Sequence, residues 1–524
     1  MILHVVTLAA RGLLAFALTV GFANSSDLRI ATSSEPSSLD PHFHNLASNN
    51  NLAAHIFETL TKFDPDSRLD HGLAESWRLI DDTTWEFKLR KGVRFHDGSE
   101  LTAEDVAWSL DRPATITGSP GAFTLYTRQI ASKQILDPLT IRLRTVTPYP
   151  LMLNDLSAIF IVSKRATQGL TTADFAGGKG MIGTGPFKFV SFTRGDRVEL
   201  IRNDTYWGQA PAWEKVTLRF LTNDSARLAA LLAGDVDAIE NVPSADLPRL
   251  RTTTNIRVFS KVSNRLIYFT LDQGRDVTPF VTDKSGNPLA KNPFKDLRVR
   301  QAFNKSINRQ VIADKVMEGL GLPTANLVPS PMFGYNPALK VEPFDPDGAR
   351  KLLADAGYPE GFGLTIHGPN NRYVNDDKIL QAVGQMLSRI GIQVKVEAMP
   401  LTIFFPRANK KEFTMALAGW GSQTGEASSP LRSILATINP DKGMGTVNFG
   451  LYSNPQLDAL LDDALRTVDD GKREKLLQDA TAVAITDVAL IPIHHQVVTW
   501  GTRIGVAYIP RTDERTQAQL FYTP

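Results

Sequence analysis

Residues 345–421 alternate between strand-like and helix-like patterns. Of all the features of the sequence, this alternation restricts the possible folds most strongly. The segments FGLTI, IQVKVEAM and FTMALAGW have strand character. DDKILQAVGQMLSRIG lies between the first two and is helical, while LTIFFPRANKK, between the last two, predicts a short helix. Strands separated by helices are typical of βαβ units, whose strands run parallel. We therefore expect an α/β fold.

Two further segments carry the signals of helix ends. In DSARLAALLAG, Asp224 is the predicted N-cap and Gly234 marks the end of the helix. In DPDGARKLLADAG, Asp345 precedes Pro346 at the first helical position, and Gly357 follows the last turn. Both segments fit helices packed beside the predicted strands.

The first third of the chain is rich in strands of another kind. TTWEFKLRKGVRF and LTIRLR alternate apolar and polar residues, as half-buried antiparallel strands do. Gly92 and the Asp97-Gly98 pair mark turns. We predict a β-rich subdomain over residues 61–186.

The two loops that follow FGLTI and FTMALA are expected to meet. In an open parallel sheet, ligands bind outside the carboxyl ends of the strands. The loop HGPNNRY contains Arg372, and the loop GWGSQTGE begins beside Trp420. If the strands are parallel, both residues face one cleft. The plainer alternatives are that Trp420 covers the core and that Arg372 forms a surface or inter-lobe salt bridge.

Composition bounds the class of protein. With 524 residues the chain is too long for one ordinary core, so two or more domains are expected. Hydrophobic residues make up 42% and charged residues 21%, as in globular proteins. The net charge is +2, and no polybasic run interleaved with aromatics occurs, which argues against nucleic-acid binding.

The N-terminus resembles a secretory signal. Its apolar stretch has Arg11 as the only charged side chain and ends in Gly21-Phe22-Ala23, which predicts cleavage after Ala23 and a periplasmic protein. A membrane anchor is the alternative. No later run of 18 apolar residues occurs, so the mature chain is not expected to span a membrane. The chain contains no cysteine, which excludes disulfides, thiolate metal sites and a lipid-anchored cysteine.

Motifs of enzymes and metal sites are missing from the sequence. GxSxG, HExxH and P-loop patterns do not occur, and the glycines at 177–180 are read as a plain loop. His42 and His44, and the neighbours His494 and His495, are the candidate metal ligands. Adjacent strand residues point to opposite faces, so His494 and His495 cannot easily bind one ion together, and we interpret these histidines as structural or surface residues. No catalytic residue, cofactor or metal site is predicted, although a carboxylate pair assembled only by the fold stays open.

Several blocks of the chain together resemble one family. They are LAESWRLIDDTTWEFKLRKGVRFHDGSELTAEDVAWSL, GTGPFKFVSFTRGDRVELIRNDTYW, LLAGDVDAIENVP and KDLRVRQAFNKSINRQVI, with SSEPSSLDPHF near the start and ALIPIHHQVVTW near the end. In this order they are similar to the large periplasmic solute-binding proteins of peptide ABC importers, family 5, the oligopeptide, dipeptide, nickel and glutathione class. The resemblance covers essentially the whole mature chain.

The resemblance implies a two-lobed periplasmic binding protein, type II-like, with the β-rich subdomain added to lobe I. Lobe I would comprise residues 24–270 plus 489–524, including the subdomain at 61–186, and lobe II residues 271–488; residues 1–23 would be the signal peptide. The lobes would close on the ligand by a hinge. The protein would act as a monomer, and ABC permease subunits in the inner membrane would recognise the closed form.

The resemblance also implies a binding site around the second loop. Peptide-binding relatives place an Asp three residues after the loop Trp, where this chain has Gln423, which is uncharged. Thr424-Gly425-Glu426-Ala427 is similar to the glutathione-binding branch, so Glu426 could supply a carboxylate. Arg372 falls near the Arg with which dipeptide binders hold the ligand carboxylate. The expected ligand-binding residues are Arg372, Trp420, Gly421, Ser422, Gln423, Thr424 and Glu426, with backbone groups near residues 33–41.

The expected function is that of the periplasmic substrate-binding component of an ABC transporter for peptide-like solutes. These would be di- or oligopeptides or a glutathione-like conjugate that carries a free carboxylate. Because Gln423 replaces the Asp, a free α-ammonium should matter less than in ordinary dipeptide binders. The alternatives are a binder of metal complexes of the nickel type and, further off, an exported hydrolase.

Overall fold

The structure is a computed structural model that describes residues 27–422 and 424–524. The predicted signal peptide at 1–23 and the site residue Gln423 lie outside the described residues. Among the described helices, none combines the length and the apolar character that a membrane span needs.

The N-terminal half is made mostly of short strands joined by short helices. Its strands are β1 Asp27–Thr32, β2 Glu58–Thr59, β3 Thr61–Phe63, β4 Leu69–His71, β5 Ala74–Asp81, β6 Thr84–Leu89, β7 Ile130–Asp137, β8 Thr140–Thr145, β9 Phe160–Ile161, β10 Phe187–Thr193, β11 Arg197–Arg202, β12 Lys215–Phe220, β13 Ala238–Glu240 and β14 Ile256–Leu271. Its α-helices are α1 Ala47–Ile56, α2 Ala103–Asp111, α3 Thr124–Thr127, α4 Met152–Leu156, α5 Lys164–Thr167, α6 Thr172–Ala176, α7 Asp224–Ala233 and α8 Leu247–Arg251.

The C-terminal half contains longer helices. Its strands are β15 Val281–Thr282, β16 Gly321–Pro323, β17 Gly363–Pro369, β18 Gln393–Met399, β19 Met415–Gly421, β20 Leu490–Arg503, β21 Ala507–Tyr508 and β22 Phe521–Tyr522. Its α-helices are α9 Leu297–Lys305, α10 Arg309–Val311, α11 Pro346–Asp355, α12 Asp376–Ser388, α13 Leu401–Asn409, α14 Ser428–Pro430, α15 Pro455–Ala464 and α16 Asp470–Thr486. Short 3₁₀ and π turns connect several of them.

One large mixed sheet is the central element of the fold. Its strand order is β10-β11-β12-β1-β13-β20-β14-β19-β17-β15, with β16 paired to β20 and β18 to β17. The long strands β14 and β20 run antiparallel at its centre. Nearly all of β20 and the C-terminal half of β14 are buried, so both faces of this pair are covered by other elements. The predicted lobe boundaries at 270 and 489 fall at the end of β14 and the start of β20.

A separate antiparallel sheet lies in the β-rich region. Its order is β5-β6-β8-β7, and the alternation read from the sequence is present: Trp85, Phe87 and Leu89 of β6 are buried while Lys88 is exposed. The buried side chains pack with those of β8 and α2 into a hydrophobic cluster of their own. Two predicted turns are present as well, with glycine in the left-handed region at Gly92 (φ 79°) and within the Asp97-Gly98 turn.

The start of α7 corrects one prediction. Asn223, and not Asp224, is the N-cap, because its side-chain oxygen accepts a hydrogen bond from the Ala226 amide at 2.9 Å. Asp224 is the first helical residue, where a negative charge still favours the helix dipole. Both side chains suit a helix N-terminus, and the sequence pattern does not distinguish a register that differs by one residue. Gly234 ends the helix as expected.

The start of α11 is as predicted, with Asp345 accepting from the Gly348 amide at 2.8 Å and Pro346 at the first position. Replacing Asp345 by Ala should lower the free energy of unfolding by about 1 kcal/mol, because an amide of the first turn loses its acceptor. Denaturant unfolding measures the change. Asp345→Asn should retain most of the stability, and Asp355→Ala at the other end of the same helix should change it little; an unaltered Asp345→Ala variant would contradict the assignment.

The strands that position the candidate site run as the sequence predicted. β17 pairs in parallel with both β18 and β19. The loops after β17 and β19 therefore emerge at the same edge of the sheet, and the β17 loop contacts the end of β19. The Tyr373 hydroxyl accepts a hydrogen bond from the Gly419 amide at 2.9 Å.

Candidate functional site

A cavity of about 260 Å³ lies where the carboxyl end of β1, helix α1, the β17 loop and the C-terminal segment meet. Its lining is polar on several sides, with Ser33 after β1, Asn51 of α1 and Gln496 of β20. Apolar side chains such as Val498 and Phe220 form another part of the wall. A concave space with apolar walls and a few converging charged groups is the usual form of a small-solute site.

Two charged residues in this wall form a closed pair. Arg265 of β14 donates to Glu514 from Nε to Oε1 at 3.0 Å and from Nη2 to Oε2 at 2.7 Å. Burial opposes both charges, but the opposite charge and the hydrogen bonds outweigh it, so the pKa of Arg265 is raised and the pKa of Glu514 is lowered. Because each charge of this pair is already neutralised by the other, neither side chain is expected to pair with a charged group of a ligand.

Arg372 differs from Arg265, because none of the described residues forms a hydrogen bond or ion pair with its guanidinium. Its backbone amide donates to Asp376 at 2.9 Å, which fixes the start of the loop, and its guanidinium lies 5.1 Å from the centre of the Tyr373 ring. The side chain lines the cavity and is exposed there. The pKa of Arg372 is lowered, mainly because the cavity wall shields the guanidinium from solvent and secondly because of the nearby positive charge of Arg265. An anionic ligand group would relieve both effects.

The carboxylates of the lining already have partners. Asp513 accepts two hydrogen bonds from Arg511, at 2.9 and 2.6 Å, and Glu514 belongs to Arg265. Glu240 accepts from the amide and hydroxyl of Ser33 and from Thr516, all neutral donors. Glu240 is therefore the lining carboxylate that no described cation pairs with.

The predicted loop after β19 divides between two environments. Ser422, Thr424 and Gly425 line a recess of about 20 Å³ that shares Asn50 and Arg515 with the lining of the main cavity. The structure thus brings these loop residues into the neighbourhood of the cavity that Arg372 lines.

Trp420 and Glu426 point elsewhere. The Trp420 indole packs against a hydrophobic cluster and donates from Nε1 to Ser429 at 3.1 Å, as the alternative reading of a core cover describes. Glu426 is fully buried and accepts from Arg473 at 2.5 Å and from Ser428. Neither residue lines the cavity around Arg372.

Gly421 is the last residue of β19, where it pairs with Arg265 across the sheet. Of the segment at 33–41, Ser33, Ser34 and Pro36 line the cavity. Part of its backbone is already engaged, since the Ser33 amide donates to Glu240 at 2.7 Å.

Five charged residues that line this cavity were missed by the sequence analysis: Glu240, Arg265, Asp513, Glu514 and Arg515. Two signals could have pointed to four of them, but not to Glu240. Arg265 directly precedes the apolar run LIYFTL, and three charges stand in a row at DER near the C-terminal end of the chain. Neither signal says that the two segments meet.

The histidines lie apart from this cavity. His42 is buried with Nε2 2.7 Å from the carbonyl oxygen of Phe160, and burial lowers the pKa of His494 to about 3 and of His495 to about 4. Within residues 27–422 and 424–524, histidine and acidic side chains do not gather into a group of three or more that could hold a metal ion.

Comparison with known proteins decides the family. The bacterial extracellular solute-binding proteins, family 5 (middle region), match residues 68–441. The chain belongs to this family. Its members are periplasmic substrate-binding proteins of ABC transporters and not enzymes, so the predicted family, fold class and general function are confirmed.

Individual relatives cover almost the whole chain. The glutathione-binding protein GsiB of Salmonella paratyphi A is 29% identical over 93% of this chain and 92% of its own length. GsiB of Pectobacterium atrosepticum is 30% identical over 91% of each chain. Among solved structures, the periplasmic binding protein DppA from Helicobacter pylori in complex with the peptide STSA is 26% identical, with a TM-score of 0.74 over 95% of this chain and 98% of that one.

Proposed function

We propose that this solute-binding protein takes up a small peptide-like solute with a free carboxylate, in the cavity lined by Arg372, and delivers it to an ABC permease in the inner membrane. The observation that carries the proposal is the Arg372 guanidinium, which lines the cavity without a hydrogen-bond or ion-pair partner among the described residues. A planar guanidinium binds a carboxylate through two parallel hydrogen bonds.

The relatives support this class of ligand. The GsiB proteins are named for glutathione, a tripeptide, and the Helicobacter pylori protein holds a peptide. The cavity volume of about 260 Å³ is slightly below the range of roughly 300–1,000 Å³ of small-molecule sites, which favours a ligand of a few residues.

The remaining parts of the proposal concern export and closure. The signal peptide would be cleaved after Ala23, and the protein would act as a monomer whose two lobes close on the ligand. Where the ligand carries an ammonium, Glu240 would be its partner, because that carboxylate has only neutral donors. The loop from Gly421 to Glu426 would border the ligand through Ser422 and Thr424.

Arg372→Ala should weaken binding of a carboxylate ligand by about 10–100-fold, because one charge-assisted pair is lost. Isothermal titration with glutathione, and with Ala-Ala-Ala and its C-terminal amide, tests this. Wild type should prefer the free carboxylate of Ala-Ala-Ala over the amide, and the variant should not.

Arg466→Ala, an exposed arginine after α15, is the matched control and should bind as wild type does. Equal binding of the tripeptide and its amide by wild type would argue against recognition of the carboxylate by Arg372. Failure of glutathione and every peptide to bind would reject the peptide-like ligand altogether.

A further inference from the structure

Arg515 lies at a junction that the function described so far does not use. It lines the main cavity, the recess beside the β19 loop, and a further cavity of about 260 Å³ that Glu58 and Gln517 also line. Its side chain is one-quarter exposed, so its charge reaches these spaces without being free in solvent.

The position of Arg515 is fixed by its backbone. The Tyr508 hydroxyl donates to the Arg515 carbonyl at 2.8 Å, and the Arg515 amide donates to Asp513 at 3.2 Å. The next residue is held too, because the Thr516 amide donates to Asn51 of α1 at 3.0 Å. The guanidinium is thus presented from an ordered segment, as a preorganised binding group should be.

The charge of Arg515 is nevertheless poorly paired. Its ion-pair partner in the described chain is Asp513, with Nε 3.8 Å from Oδ2, beyond hydrogen-bond range. Asp513 is already bound by Arg511 through two short hydrogen bonds. Arg511, and not Arg515, is therefore the main counter-charge of Asp513. Burial lowers the pKa of Arg515, as expected for a guanidinium that lacks a close carboxylate.

Arg372 and Arg515 line the same cavity from different segments, one after β17 and the other near the C-terminus. Both guanidiniums lack a hydrogen-bonded carboxylate among the described residues. We infer that Arg515 is a second anion-binding residue, so that the preferred solutes are small peptides with two carboxylates, one held at Arg372 and the other at Arg515. This inference rests on the proposed function and narrows its ligand class.

Nearby groups fit the polar atoms of such a ligand. In the recess beside Arg515, the Asn264 Oδ1 atom can accept from a ligand N–H group and the Thr424 Oγ1 atom can donate to a carboxylate, and both are buried without a hydrogen-bond partner among the described residues. Glu240, also in the cavity wall, could pair with one ammonium. Two guanidiniums and one carboxylate complement a peptide with two carboxylates and one amine.

The test compares ligands that differ by one carboxylate. Titration calorimetry would use glutathione against its glycine ethyl ester, and Glu-Ala-Ala against the nearly isosteric Gln-Ala-Ala. Wild type should bind the member with two carboxylates about 10–100-fold more tightly in both pairs. The variant Arg515→Gln should reduce the preference for Glu-Ala-Ala to within about threefold, and Arg515→Lys, a point charge without the fork, should keep part of it.

Arg466→Gln on the exposed surface is the control and should keep the full preference. Circular dichroism and the melting temperature of each variant check its fold. The comparison of ligands that differ by one carboxylate is made on wild type. It therefore tests the inference even if the Arg515→Gln variant does not fold.

The outcomes separate the inference from the proposed function. If wild type binds Gln-Ala-Ala and Glu-Ala-Ala equally while Arg372 remains necessary, the second site is wrong and the peptide-binding function stands. If a folded Arg515→Gln variant keeps the full preference, the second carboxylate is bound elsewhere. If no probe binds, both proposals are rejected.

Discussion

Replacing Arg112 by Leu is expected to lower the free energy of unfolding by about 3–5 kcal/mol, because it leaves the carboxylate of Asp40 buried without its cation. The pair is bidentate, at 2.6 and 2.7 Å, and the two side chains are 3% and 0% exposed. Arg112 also lies 4.8 Å from the centre of the Phe175 ring, a contact that leucine retains only in part. Denaturant-induced unfolding followed by circular dichroism would measure the loss.

Two controls locate the cause. Adding Asp40→Asn to Arg112→Leu should restore at least about 1 kcal/mol, since the neutral amide oxygen can still accept from the His42 amide and the amide NH2 group can donate to the Thr172 hydroxyl. Breaking the exposed pair of Arg94 and Glu100 by Arg94→Leu should change stability by no more than about 1 kcal/mol. Equal losses in Arg94→Leu and Arg112→Leu would show that burial does not set the cost.

Asp155→Asn is expected to stabilise the protein at alkaline pH and to lose this advantage in acid. Asp155 is buried on α4, accepts from the Tyr149 hydroxyl at 2.5 Å, and forms no ion pair with the described residues. Burial first, together with the charge of Glu426, raises its pKa from 3.8 to about 7, against the opposing effects of Tyr149 and two nearby arginines, Arg432 and Arg128.

The sign of the pH dependence follows from proton uptake. Well below pH 3.8 the Asp155 carboxyl is protonated in both the folded and unfolded chains, so its burial costs no charge. As the pH rises to 7, the unfolded chain releases the proton first and the folded state loses stability relative to it. Asparagine carries no such penalty, so the stability of the variant relative to wild type should grow by roughly 3 kcal/mol between pH 4.5 and pH 8.

Thermal unfolding of both proteins across this pH range tests the prediction. Asp82→Asn, at an exposed turn, is the matched control and should follow wild type at every pH. A difference between Asp155→Asn and wild type that stays constant from pH 4.5 to pH 8 would mean that the Asp155 carboxyl does not titrate in this window.

Local pattern was enough to predict the strands around the site, but not the direction of each side chain. The parallel arrangement of β17, β18 and β19 follows from helices between strands, and it placed Arg372 at the correct edge. The sequence did not show whether the Trp420 side chain points to the ligand cleft or to the hydrophobic core. The register decides: Trp420 lies opposite Leu266 and both belong to one hydrophobic cluster, while the next pair is Arg265 with Gly421. Because successive strand residues point to opposite faces, a shift by one residue reverses such an assignment.

Local pattern could not show that the other residues of the cavity belong to one site, because they come together only in the folded chain. Asp513, Glu514 and Arg515 follow β21 in a segment without regular structure, and no periodicity links them to Arg265 or to the β17 loop. Glu426 shows the reverse case. The similarity of its loop to the glutathione-binding branch implied a carboxylate available to a ligand, but Arg473 of α16 binds it in the interior. The partner of a charged side chain is a property of tertiary packing.

The place of β20 in the sheet has a consequence for how the molecule forms. β20 lies between β13 and β14, both of which are made much earlier in synthesis, and it pairs with each of them. Until residues 490–503 are available, the edges of those two earlier strands lack their partner. Contacts so distant in sequence slow folding, because a long loop must close before any of them forms. The joining of the two halves is therefore expected to be a late and cooperative step in the folding of this chain.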